Sequence, residues 1–213
     1  MPLRGVAGIP ADTTAVIVNV TRVVPTASTY LEVTPGGPGD TSTLNLDQGA
    51  VRANLAVVGV GADGAIRVRN AQGSLDVVVD VQGWFSPQAT VRYVPLAAPL
   101  RILDSRADGN GRFGPGMEGH SVIPCSPEPG QAILNVTGVQ PTVDTFVYPL
   151  TFFNGKPNTP TTSIVNVSAG AVVANAMLSG CANQLGTDVG SIVLVVDEAG
   201  YFTPTIWAEP RDH

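Results

Sequence analysis

From Leu75 to Val81 the odd positions are all apolar, while Asp76 and Asp80 fall together on the other side of the chain. A period of two belongs to a β-strand with one face buried, because successive side chains of an extended chain point to opposite sides. A later segment repeats the pattern, with Ile192, Leu194 and Val196 on the core face and Asp197 opposite. Both segments therefore predict the same register against a packed sheet. Further strands are expected at 15–21, 29–34, 51–60 and 65–70, and again at 131–138, 145–153, 163–167 and 172–179. Turn residues separate them: Pro35 to Asp40, Ala62-Asp63-Gly64, and Asn154 to Asn158 read as loops. No stretch carries apolar residues at helical spacing. The expected fold is all-β and mainly antiparallel, two tandem β-sandwich or jelly-roll-like modules packed as a pseudo-symmetric unit. A propeller or trefoil suits two copies less well.

The two sets of strands are copies of each other. Asn19-Val20-Thr21 recurs as Asn135-Val136-Thr137, and the offset holds through Pro25-Thr26 with Pro141-Thr142 and Thr29-Tyr30 with Thr145-Phe146. After a few extra residues in the second copy, Ser42, Asn45, Gly49 and Ala53-Asn54 meet Ser163, Asn166, Gly170 and Ala174-Asn175. The match ends at Asp80, Gly83, Trp84 and Phe85 against Asp197, Gly200, Tyr201 and Phe202. The implied organisation is a first module over 1–90, a second over 91–204 and a tail over 205–213. Arg92 to Glu118 has no counterpart in copy one, so copy one starts inside the module. Its missing edge is expected to be left open, covered by the tail after Phe202, or completed by another chain, since an unpaired strand edge invites pairing.

Composition narrows the setting. With 24 Gly and 18 Pro the chain has turns rather than long helices, and with only 13% charged residues its solubility rests on Thr, Ser, Asn and Gln. A net charge of -6 argues against a phosphate-backbone partner, which clustered Lys and Arg would have to hold. No apolar run reaches the roughly 18 residues of a membrane-spanning helix. The opening Met1 to Gly5 has no apolar stretch of a secretory signal, so either a signal lies upstream or the protein reaches the outside another way. Cys125 and Cys181 lie 56 residues apart, both within copy two. A disulfide between them would add roughly 4 kcal/mol in the chain-entropy picture and would suit an oxidising destination; two buried thiols are the alternative.

Taken together, Pro99 to Arg106, Ile17 to Thr26 with Ile133 to Thr142, Ala53-Asn54 with Ala174-Asn175, and Val78 to Phe85 with Val195 to Phe202 resemble a repeat of large secreted actinobacterial surface proteins. The resemblance implies an extracellular β module, often attached beside cell-wall hydrolases, proteases or adhesin-like regions. It brings no catalytic residues. A virion surface protein of a phage infecting such bacteria could use the same module without a signal.

Candidate chemistry is sparse. Nucleophilic catalysis and zinc binding both need histidine in reach, and the only two are His120 and His213, neither with triad or ligand spacing. Asp76 and Asp80 on one strand face could serve glycoside hydrolysis. Only Asp80 recurs, as Asp197, so the shared Asp is read instead as the anchor of a Gly-turn before Trp84 or Tyr201. The recurring amides Asn19, Asn45, Asn54, Asn135, Asn166 and Asn175 are expected to satisfy buried backbone groups. Asp104, Asp108 and Asn110 gather oxygen ligands among glycines, as calcium asks, but without the full ligand set of an EF-hand loop. An Asx-turn loop with an Arg101–Asp104–Arg106 ion network is the favoured reading there. Sugar stacking would draw on Trp84, Tyr201, Tyr30, Tyr93 or Trp207, although Trp84 and Tyr201 also suit core plugs. The expected function is that of a non-catalytic, cofactor-free surface or wall-associated binding and spacer module contacting glycan or protein, with Trp84, Tyr201, Arg101, Asp104 and Arg106 as binding candidates. A self-assembling structural subunit such as a phage decoration or tail protein is the alternative, and a glycan-active enzyme the second.

Overall fold

A computed structural model of the chain describes residues 1–37, 41–107, 109, 111–115, 131–153, 156–158, 162–180 and 184–205. Cys125, Cys181, His120, His213, Trp207, Asp108 and Asn110 lie outside the described residues. The protein is all-β, with only antiparallel pairings among its named strands and no α-helix among the described residues. None of those residues forms a helix long and apolar enough to cross a membrane. The chain divides into two compact units, Met1–Ala89 and Thr90–His213.

Unit 1 holds β1 (Ala15–Val23), β2 (Thr29–Thr34), β3 (Leu44–Leu46), β4 (Arg52–Gly59), β5 (Arg67–Asn70) and β6 (Asp76–Phe85). They form two sheets, ordered β4-β1-β6 and β3-β2-β5. Val16, Val18 and Val20 of β1 meet Leu31 and Val33 of β2, Leu46 of β3 and Val58 of β4 in one buried cluster, the interior of a sandwich. Leu75, Val77 and Val79 pack against it from the segment whose alternation marks it as a strand.

Unit 2 holds β7 (Val91–Asp104), β8 (Ala132–Val139), β9 (Thr145–Phe153), β10 (Lys156–Asn158), β11 (Val165–Val167), β12 (Val172–Ser179), β13 (Gln184–Thr187) and β14 (Val193–Pro204). One sheet is ordered β12-β8-β14-β7; the other sets β9 against β10, β11 and β13. Leu134 and Val136, Val147, Val165 and Val167, Met177, Leu185, and Leu194 and Val196 close a second core.

The repeat is visible in three dimensions at the residues that carry it. Asn54 Nδ2 donates to the Thr43 carbonyl at 2.7 Å, and Asn175 Nδ2 donates to the Ile164 carbonyl at 2.7 Å. The Pro-Thr pairs turn matching corners: the N–H of Ser74 donates to Thr26 Oγ1 and that of Ser191 to Thr142 Oγ1, both at 2.9 Å. Val24 and Gln140, each just before its proline, adopt the same left-handed backbone at φ 41° and 46°.

Several expectations need correction. The stretch 154–158 is not loop throughout, because Lys156–Asn158 turns back onto Thr151–Phe153 as a short strand. Leu44–Leu46, Gln184–Thr187 and Val91–Asp104 are strands that no alternation announced; the first two are too short to show a period, and the third is broken by Pro95 and Pro99. Asp80 and Asp197 anchor no Gly-turn. β6 and β14 run on through Gly83 and Gly200, each with an irregularity in its pairing just before the glycine.

Arg22 is the least expected interior residue. It lies on the core face of β1 in register with Val16, Val18 and Val20, where unit 2 has Gly138, and it is fully buried. None of its guanidinium nitrogens has a hydrogen-bond partner among the described residues. Burial lowers its pKa, and the charge of Asp47 opposes that shift. Replacing a buried unsatisfied ion by an apolar chain of similar length removes a desolvation cost. Arg22→Met is therefore expected to raise stability by about 1 kcal/mol; a lower urea midpoint would show instead that Asp47 holds the guanidinium productively.

Candidate functional site

β6 and β14 occupy the same place in the two units. β6 pairs with β1 through Asn19 opposite Asp80, Ile17 opposite Gly83 and Val16 opposite Trp84. β14 pairs with β8 through Asn135 opposite Asp197, Ile133 opposite Gly200 and Ala132 opposite Tyr201. Beyond this shared ladder they differ. β14 has a second neighbour, β7, whereas β6 ends its sheet and pairs only with β1 among the described residues. The opposite margins, β4 and β12, end their sheets in both units among the described residues, so the difference between the sheets lies at β6.

The side chains record it. Val78 is 46% exposed, while Val195, its equivalent, is 5% exposed; Phe85 is 36% exposed and Phe202 8%. Trp84 is 46% exposed and joins no core cluster, whereas Tyr201 packs against the core of unit 2. Tyr201 thus behaves as a core plug and Trp84 does not. Phe202 is further held by a tilted ring contact with Tyr93 of β7, 5.4 Å between centroids. The outer side of β6, which has no second strand beside it among the described residues, thereby carries the exposed Val78, Trp84 and Phe85.

The predicted ion network stands at the other sheet margin. Arg106 donates from Nε and Nη2 to both oxygens of Asp104, at 2.8 and 2.6 Å, and its backbone N–H adds a third bond at 3.1 Å. Arg101 approaches Asp104 at 3.7 Å and donates to Asp197 at 2.6 Å from Nε and 3.2 Å from Nη2. The arginine bonds occupy both Asp104 oxygens. No group of three or more metal-ligating side chains occurs among the described residues. Asp197, which sequence reading placed at a turn, is the carboxylate that ties β14 to β7. Asp80, its equivalent, lies half-buried with no hydrogen-bond or ion partner among the described residues. No sequence signal separates these two aspartates, since the difference lies in the strand beside each.

Their titration follows. The Arg106 hydrogen bonds hold Asp104 down to about 2, below its ordinary 3.8. Its contribution to stability is present above the unfolded value and lost as pH falls from about 4 towards 2. Burial raises Asp80, which works the other way: its contribution is present below 3.8 and lost as pH rises through the folded value. Asp104→Asn is expected to lower the urea midpoint at pH 7 with little effect near pH 2, and Asp80→Asn to raise it at pH 7 with little effect near pH 3. Midpoints measured across that range check both, and parallel shifts at every pH would refute the assignment.

Trp84 and Tyr201 belong to different units, as do Asp80 and the Arg101–Asp104–Arg106 group. The binding candidates read from the sequence therefore fall in three places: Trp84 on the margin of β6, Tyr201 against the core of unit 2, and Arg101, Asp104 and Arg106 in the ion network. β6 thus combines the margin of a sheet with an exposed indole. No protein-family model matches the chain, and no curated protein or solved structure matches it.

Proposed function

We propose that this chain is a non-catalytic binding and spacer module of a surface or cell-wall-associated protein, and that it takes a protein partner along the open edge of β6. The supporting observation is the contrast, among the described residues, between two equivalent strands, β14 with neighbours on both sides and β6 with one. Strand addition supplies affinity through main-chain hydrogen bonds and specificity through side-chain pockets, and Val78, Trp84 and Phe85 offer the apolar part of such a contact. The resemblance to secreted actinobacterial repeats supports an extracellular setting. The exposed Trp84 ring also supports a second reading, stacking on a wall sugar.

Co-sedimentation with actinobacterial cell walls, before and after protease stripping, tests the choice. The chain is expected to sediment with untreated walls, to lose that binding on stripped walls, and to lose at least about tenfold in affinity when Val78→Lys and Trp84→Lys charge the edge. Binding that survives stripping but not Trp84→Ala would assign the site to glycan. A defined oligomer by light scattering that ignores walls would favour the assembly subunit.

A further inference from the structure

The chain contains its own example of what fits the β6 edge. β7 lies antiparallel on β14 with Asp104 opposite Val195, Leu103 opposite Val196, Arg101 opposite Asp197 and Leu100 opposite Glu198, and then, after an irregular stretch, Pro95 opposite Gly200, Val94 opposite Tyr201 and Tyr93 opposite Phe202. Because β6 and β14 share one register on their inner neighbours, β6 presents Val78, Val79, Asp80, Val81, Gly83, Trp84 and Phe85 at the positions that β14 turns towards β7. Three of those residues are exposed in unit 1 where their equivalents are covered or packed in unit 2. The fourth difference is polar. Asp197 receives a two-pronged bond from the Arg101 guanidinium, and Asp80 receives none among the described residues.

We propose that the β6 edge pairs in antiparallel register with an extended segment of another polypeptide that sets an arginine opposite Asp80 and apolar residues beside Val78, Trp84 and Phe85, a strand of the same chemistry as β7. This rests on the reading of β6 as the protein-binding edge and adds the feature that selects the partner. A planar guanidinium binding a carboxylate through two parallel bonds fixes position along the strand as well as charge. Register needs such a device here, because a strand edge alone accepts several. A second copy is a poorer occupant. Two β6 strands paired about Val78 would set Asp76 of one against Asp80 of the other, and like charges directly opposite are destabilising. The β7 strand of a second copy is already engaged, with Leu103 buried in its own core.

The test uses the full chain and a synthetic peptide of residues 90–106, with a matched peptide carrying Arg101→Gln. Hydrogen exchange over Asp76–Phe85 locates binding, and the fluorescence of Trp84 in a Trp207→Phe background measures it. The expected result is protection of β6 by the natural peptide and at least about tenfold weaker binding of the glutamine peptide. Asp80→Asn in the chain removes that preference, while Asp197→Asn leaves it, which separates the β6 edge from invasion of unit 2. Equal binding of both peptides on β6 would overturn the arginine assignment while leaving β6 a protein-binding edge. No protection of β6 by either peptide would overturn the inference, leaving the co-sedimentation result to decide the wider reading. Protection of β6 in the chain alone, growing with concentration alongside a dimer mass, would place a second copy on the edge and overturn it.

Discussion

Leu194→Ala is expected to lower the stability of unit 2 by about 2–5 kcal/mol. Leu194 is fully buried near the start of β14, and its surroundings are tied on both sides. It faces Gly138 on β8, and its N–H donates to Ser105 Oγ at 3.2 Å while its carbonyl accepts from the Ser105 N–H at 3.0 Å. A cavity is costly where neighbours cannot move in, and a strand held between two others has little freedom to do so. Val77→Ala, at the same place in unit 1, is expected to cost only about 1 kcal/mol, since two methyl groups are lost from a side chain that is half-buried beside an open edge. Urea unfolding of the two variants checks the ranking. Equal losses would show that β6 is as confined as β14 and would argue against an open edge.

The second large effect concerns the buried amides. Asn175→Leu is expected to destabilise unit 2 by about 1–3 kcal/mol, because it leaves the Ile164 carbonyl without its donor inside the core. Leucine keeps the branching and heavy-atom count of the asparagine side chain, so no cavity opens and the loss reads the missing hydrogen bond. Asn54→Leu removes the same bond, to the Thr43 carbonyl, yet Asn54 is half-buried and water can replace the lost donor. Its cost is expected to be at most about 1 kcal/mol. Denaturant midpoints decide it, and comparable losses at both sites would mean that the amide sets the corner between neighbouring strands whatever its burial.

Much of this was legible in the sequence. Alternation at 75–81 and 192–196 marked two strands and, the exposed Val81 apart, their inward faces, because the side-chain period of an extended chain is a local property. The repeated Asn54 and Asn175 told of a backbone group needing a donor at one place in both copies. The spacing of Arg101, Asp104 and Arg106 suffices for an ion network, since those residues are near neighbours along one segment. The strands Leu44–Leu46 and Gln184–Thr187 escaped notice because a strand of three or four residues shows no period to distinguish it from a loop.

By itself, then, the sequence determined that this protein is an all-β chain with a duplicated strand pattern, which side chains face each core, and that copy one has nothing matching the segment after Arg92. Only the tertiary structure decided that this segment is the outer neighbour of β14, that Trp84 stands exposed where Tyr201 is packed, and that, among the described residues, β6 ends its sheet and Asp197 has an arginine where Asp80 has none. The physical reason is the range of the interactions. Periodicity and turn chemistry act between residues a few positions apart, whereas the partner of a strand edge, and with it the burial and charge state of every side chain along that edge, is set by chain segments that meet only when the sheet assembles.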